Sequence, residues 1–168
     1  MSLVSTLIGD LKFTYASSVG GTSALYEPLL SLNDSLATGV ALDTADLLYV
    51  GKAVALSGSA TTNLDLAGSL TDAFGATLTF VKIKWFYFHN LSTTAGNTIT
   101  IGGHATAAVL LFGTAAHTHT VGPNGDILIR EPSLAGKAVT ATTGDILKIL
   151  NDTANAVTYD IAICGTSS

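Results

Sequence analysis

From Ala45 onward the chain is cut into apolar runs of five to ten residues by Gly, Asn, Asp, Ser and Thr, and this punctuation leaves little room for helices. Runs that short, bounded by turn formers and repeated along the chain, have the spacing of an all-β sandwich. Candidate strands fall at 47–56, 62–67, 77–90, 98–101, 107–112, 118–121, 126–130, 137–141, 145–150 and 157–164, and 69–74 fits a single helical turn. Thr, Val and Ile suit a pleated, half-buried surface, whereas the helix formers Glu, Lys, Arg and Gln are scarce. We therefore expect an all-β, antiparallel β-sandwich over residues 45–168. Residues 1–44 lack steady alternation and carry Gly20-Gly21, Pro28 and Asn33-Asp34-Ser35, so they read as an N-terminal arm or lead-in. The whole length of 168 residues fits one domain with a self-sufficient core.

Two turns carry their own mechanism. In Pro123-Asn124-Gly125-Asp126 the proline pre-sets one backbone angle and the next two residues tolerate positive φ, so the chain should reverse into Ile127-Leu128-Ile129. Thr143-Gly144-Asp145 stands in the same position before Ile146-Leu147-Lys148-Ile149. The shared Gly-Asp-Ile-Leu is too short to establish a duplication.

The segment 78–91 is apolar on both faces. Its odd positions Val81, Ile83, Trp85, Tyr87 and Leu91 form a nearly continuous stripe that should enter the core. Its even positions set Phe80, Phe86 and Phe88 around Lys82 and Lys84, and on that alternation Phe86 and Phe88 point outward. Either a loop or the arm covers them, or another subunit does. The last segment, 157–164, alternates cleanly, with Val157, Tyr159, Ile161 and Ile163 on one side.

Only 11% of residues are charged, against about 25% in an ordinary soluble domain. Seven basic and twelve acidic residues leave roughly 400 Å² of surface per charge on a compact monomer of this mass. Thr- and Ser-rich faces account for part of that economy, and subunit contacts for the rest. A net charge of −5 and seven scattered cations do not make a phosphate-tracking stripe, so nucleic acid is not an expected partner. No apolar stretch is long enough to be a membrane helix, and the first ten residues lack the basic start and apolar core of a signal peptide. Cys164 is the only cysteine, which excludes an intramolecular disulfide, and no His and acid set surrounds it in sequence.

The search for chemistry yields little. His117-Thr118-His119 would set two imidazoles on one face of a strand, a spacing that holds a metal if a third ligand arrives. None is evident in the sequence, so His117 and His119 are weak candidates, and no cofactor is expected. There is no phosphate loop, dinucleotide fingerprint or Gly-x-Ser-x-Gly elbow, and the acids lie scattered beside turn residues. Asn90-Leu91-Ser92 and Asn151-Asp152-Thr153 match the glycosylation sequon. Without a secretory signal we read both as coincidental, and we expect no enzyme.

A resemblance rests on particular stretches: Asn63-Leu64-Asp65-Leu66-Ala67-Gly68-Ser69-Leu70, the aromatic strand leading to Asn90-Leu91-Ser92-Thr93-Thr94-Ala95-Gly96-Asn97, Gly122-Pro123-Asn124-Gly125, Thr143 to Ile149, and Val157 to Ile161. Over roughly the last two thirds of its length, the chain resembles small virion structural proteins of tailed bacteriophages. The resemblance implies a β-sandwich or jelly-roll subunit that decorates or cements a capsid, assembled in the host cytoplasm as a homo-oligomer, a trimer, on the major capsid protein. It implies no catalytic or cofactor residues. The interface candidates are Phe86 and Phe88, with Leu3, Val4, Leu7 and Ile8 of the arm. The alternatives are a phage tail, neck or fibre component, and a carbohydrate-binding or adhesin β-sandwich.

Overall fold

The computed structural model describes the backbone of residues 5–12, 15–19, 22–26 and 29–168, and the side chains from Asp34 onward. Five strands precede the main body: β1 (Ser5–Lys12), β2 (Tyr15–Val19), β3 (Thr22–Tyr26), β4 (Leu29–Thr38) and β5 (Thr44–Ala45). The body holds β6 (Leu47–Leu56), β7 (Thr61–Asp65), β8 (Leu70–Thr71), β9 (Thr77–Leu78), β10 (Lys82–Asn90) and β11 (Ile99–Gly102). It continues with β12 (Thr118–Val121), β13 (Asp126–Arg130), β14 (Lys137–Ala138), β15 (Ile146–Asn151) and β16 (Val157–Thr166). No helix occurs among the described residues.

Two antiparallel sheets make the sandwich, in strand orders β13-β10-β16-β6 and β12-β11-β15-β7, with β14 also paired to β10. Set aside the short β8, β9 and β14, and eight strands remain whose pairing is nested. The first pairs with the last (β6 with β16), the second with the seventh (β7 with β15), the third with the sixth (β10 with β13) and the fourth with the fifth (β11 with β12). This is the jelly roll, in effect one long antiparallel ribbon rolled up so that its halves face each other. Phe86, Phe88, Tyr159, Ile161 and Ile163 of one sheet meet Ile99, Ile101, Val121, Leu147 and Ile149 of the other in a single core. Phe88 and Tyr159 stack there with ring centroids 4.9 Å apart.

Strands 47–56, 118–121 and 126–130 lie where the sequence pattern puts them. The turn into β13 also forms as expected. Gly125 N donates to Gly122 O over 3.0 Å, and Asn124 at the third position has φ of 53°, so Pro123 and Asn124 occupy the two places a type II turn reserves for them.

Two expected elements do not form. Residues 107–112 are not a strand: Val109 and Leu111 pack into the core, Leu110 stays exposed, and only Ala108 bridges Ile146. Residues 69–74 are not helical, because the Asp72 carboxylate accepts from Phe74 N and Ala76 N, both at 2.8 Å, and closes a tight turn between β8 and β9. Such local side-chain bonds compete with a helix.

The largest correction concerns β10. Along β16, Ile83 pairs with Gly165 and Trp85 with Cys164, so Lys84 is an extra residue bulged out of the ladder. One inserted residue inverts the alternation of everything after it. Ile83 faces the core, but beyond the bulge the even residues Phe86 and Phe88 face inward, both fully buried, and Trp85 and Tyr87 turn to the outer face. Gly165 permits the close approach. A Cβ there would lie 2.1 Å from Lys82 O and 2.9 Å from a Phe80 ring carbon.

Candidate interaction surface

The outer face of the β13-β10-β16-β6 sheet is built by register. Arg130, Trp85, Cys164 and Leu48 are successive cross-strand partners, one from each strand, so they form a row straight across the sheet. Leu36, near the end of β4, and Ala45 of β5 pack on this row and complete a small apolar cluster distinct from the core. Leu36 is 1% exposed and Ala45 is fully buried. We refer to the row as the seat of the arm.

Charge fastens the same seat. The Arg130 guanidinium pairs with the Asp34 carboxylate of β4 and lies 6.0 Å above the Trp85 ring. The guanidinium face complements the ring's negative face, and the pair is partly desolvated. Two donors in this seat nevertheless find no partner among the described residues: Trp85 Nε1 and Arg130 Nε, both buried. An unpaired buried donor costs about 1–3 kcal/mol.

Beside the seat, the bulged Lys84 is fully buried. Its Nζ donates to Ser133 O, and its own carbonyl accepts from Glu131 N at 2.7 Å, which folds the segment after β13 over the amine. Burial lowers the Lys84 pKa, the nearby Lys82 charge lowers it further, and Asp43 and Glu131 act in the opposite direction. The segment also receives Asp43 N at Pro132 O, 3.1 Å, so the end of the arm is tied to it.

Phe86 and Phe88, expected outside as interface residues, belong to the inter-sheet core and offer nothing to another chain. Leu3 and Val4 lie outside the described residues. Leu7 and Ile8 are on β1, where the backbone register sets them opposite Asp34 and Asn33 of β4, and their side chains are not described. The sequence reading missed Arg130 and Asp34, which are 96 residues apart and meet only through the topology.

His117 and His119 are both exposed, and each leans on Phe112. His117 Nδ1 is 3.0 Å from Phe112 O, and the His119 ring stacks on the Phe112 ring at 5.8 Å. Among the described residues no group of three His, Cys, Asp or Glu is placed to hold a metal ion.

Several carboxylates are already occupied locally. Asp46 accepts from Ser167 N and Oγ at 2.9 and 2.5 Å, and Asp160 accepts from Ala53 N at 2.7 Å, filling a second bulge between β6 and β16. Placed on an edge strand, that bulge discourages strand addition by a stray chain. An apolar hollow of about 290 Å³ lies between Leu47, Leu48, Leu78 and the β8–β9 turn, whose Phe74 is 79% exposed.

Both sequon asparagines are fully buried. Asn90 Nδ2 donates to Asn97 O and Val121 O, and Asn90 Oδ1 accepts from Ser92 N. Asn151 repeats the arrangement, with Nδ2 at 2.9 Å from Ser57 O and 2.7 Å from Asn155 O, and Oδ1 accepting from Thr153 N. The Asn-x-Ser/Thr spacing serves a turn at each strand end. Searched against known proteins, the chain matches no family model, no curated protein and no solved structure.

Proposed function

We propose that the chain is a non-enzymatic structural subunit of a virion, a decoration or cement protein that stabilises a phage head as a homo-oligomer, a trimer, seated on the major capsid protein. The observation that carries this reading is the seat: an arm strand laid across the outer face of a jelly roll and held by its own small cluster of Leu36, Trp85 and Cys164 and by the Asp34–Arg130 pair. A module that extends from a rigid body through a separate contact suits a protein that joins neighbours. The jelly roll is compatible with shell subunits and with lectins alike, so fold alone does not choose between them. The low charge content and the local occupation of Asp46, Asp72 and Asp160 favour a structural role over a catalytic one.

The mechanism is mass action. A protein that binds the assembled shell and not its free subunits lowers the free energy of the shell. Burial of apolar surface across capsomer junctions supplies the binding energy. The test compares particles with and without the protein under heating and osmotic shock. Particles lacking it should release their DNA at a lower temperature; equal DNA retention would sink the cementing role.

The carbohydrate-binding alternative has one observation in its favour, the exposed Phe74 held on a stiff turn beside an apolar hollow. Trp85, the other large stacking surface, is covered by the arm. Clear hits on a glycan array that vanish in Phe74→Ala would favour that reading.

A further inference from the structure

We propose that the arm is exchanged between copies: β4 of one copy occupies the seat of its neighbour, with Asp34 on the neighbour's Arg130 and Leu36 on the neighbour's Trp85 row. The inference deepens the assembly reading above and rests on it. The occupant is specified by the seat itself, since the seat already accepts this segment and an identical segment from a second copy makes identical contacts. Exchange therefore changes no contact energy except at the hinge, which is why it is a low-cost route to oligomers.

Two observations point to exchange. First, among the arm's described side chains the apolar contact with the sheet is separable from the core: Leu36 belongs to the small outer cluster and to no part of the inter-sheet cluster. Second, a five-residue connection links β4 to β5 and has the make-up of a hinge. Gly39 and Asp43 take φ of 150° and 54°, and Val40 and Leu42 between them are 40% and 59% exposed. Apolar side chains left in water at a turn are natural contacts for an adjoining copy.

On the near side of that hinge, the residues flanking β5 stay with the body through Asp43 N to Pro132 O and Asp46 N to Gly165 O. On the far side, β4 is tied to the hinge region by Ala37 N to Asp43 O and Gly39 N to Ala45 O, two bonds that a neighbour's β5 segment would supply equally well. Extended, the four steps from Gly39 to Asp43 span roughly 14 Å, a reach onto a directly abutting subunit.

Two experiments on the full-length chain decide the matter. Asp34→Arg and Arg130→Asp each place like charges in the seat, whichever copy supplies the arm, and each should weaken the oligomer. Mixed in equal amounts, one variant's arm meets a complementary charge on the other variant's body. Native mass spectrometry should then find mixed oligomers several-fold above the random-mixing proportion. A random proportion, or none, overturns exchange.

The second experiment uses Leu36→Cys, which adds a thiol beside Cys164, the only other cysteine. After oxidation, covalent multimers on a non-reducing denaturing gel support exchange, and a band of monomer mobility alone overturns it. If the variant fails to fold, the charge-reversal pair still decides. Exchange without any effect on particle DNA retention would leave this inference standing and remove the cement reading. Arms bound within their own chain, together with early DNA release from depleted particles, would do the opposite.

Discussion

The two faces of β10 are made from neighbouring residues and serve different ends. Phe86 and Phe88 point into the space between the sheets, where they are surrounded by residues from strands far apart in sequence. Trp85, one residue away, points outward to a row on which Leu36 of the arm and Ala45 of β5 pack. The inner face is closed by the domain's own second sheet. Among the described residues, the outer face is closed by Leu36 and Ala45, with the partly exposed Asp34–Arg130 ion pair beside them. Aromatic content therefore does not say which face belongs to the inter-sheet core and which lies outside it. What covers it does.

The contrast is broken most directly by truncation on each side. Phe86→Ala should cost about 3–5 kcal/mol in urea unfolding, because it opens a cavity in a core that cannot collapse around it. Leu36→Ala should cost about 2 kcal/mol, at the low end of the range for buried aliphatics, because the arm can shift over the seat. Equal losses would mean that the arm is part of the cooperative core.

An alkaline titration probes the inner face separately. Burial pushes the Tyr159 phenol up to about 12, with the Tyr49 charge a lesser cause. Since the unfolded chain ionises this group near pH 10, its contribution to stability is intact below that pH and is lost as pH rises from about 10 to 12. The loss is roughly 2–3 kcal/mol by linkage. Tyr159→Phe should flatten that part of the stability profile relative to the parent chain, and identical profiles would contradict the assignment.

The smallest effect belongs to the fastening of the arm. Arg130→Ala removes a partly exposed ion pair and a contact over Trp85, and should destabilise the single chain by less than about 1 kcal/mol. Its larger consequence should be seen in the oligomer, measured by light scattering. A stability loss as large as that of Phe86→Ala would erase the distinction between the two faces.

Much of the architecture is legible in the chain because it is local. Pro123-Asn124 dictates its turn from its own backbone preferences, and β16 alternates Val157, Tyr159, Ile161 and Ile163 into the core without interruption. The same reading fails in β10 for a physical reason. Alternation predicts a face only while the ladder is unbroken, and Lys84 breaks it without leaving a Gly or Pro as a signal. The run 107–112 misleads in another way. Ala107, Ala108, Val109 and Leu111 are buried although Leu110 is exposed, and beyond the single bridge from Ala108 to Ile146 no described strand pairs along them. The candidate site was least legible of all, since its row of Arg130, Trp85, Cys164 and Leu48 comes from four strands.

By itself, then, the sequence determined the place of most strands of the body, the turn into β13 and the all-β class, because each depends on residues within a few positions of one another. Only the tertiary structure decided the nested pairing that makes a jelly roll, the side on which Phe86 and Trp85 fall, and the meeting of Arg130 with Asp34. Pairing is a relation between distant segments that a period of two cannot encode, and one bulged residue reverses every orientation that follows it.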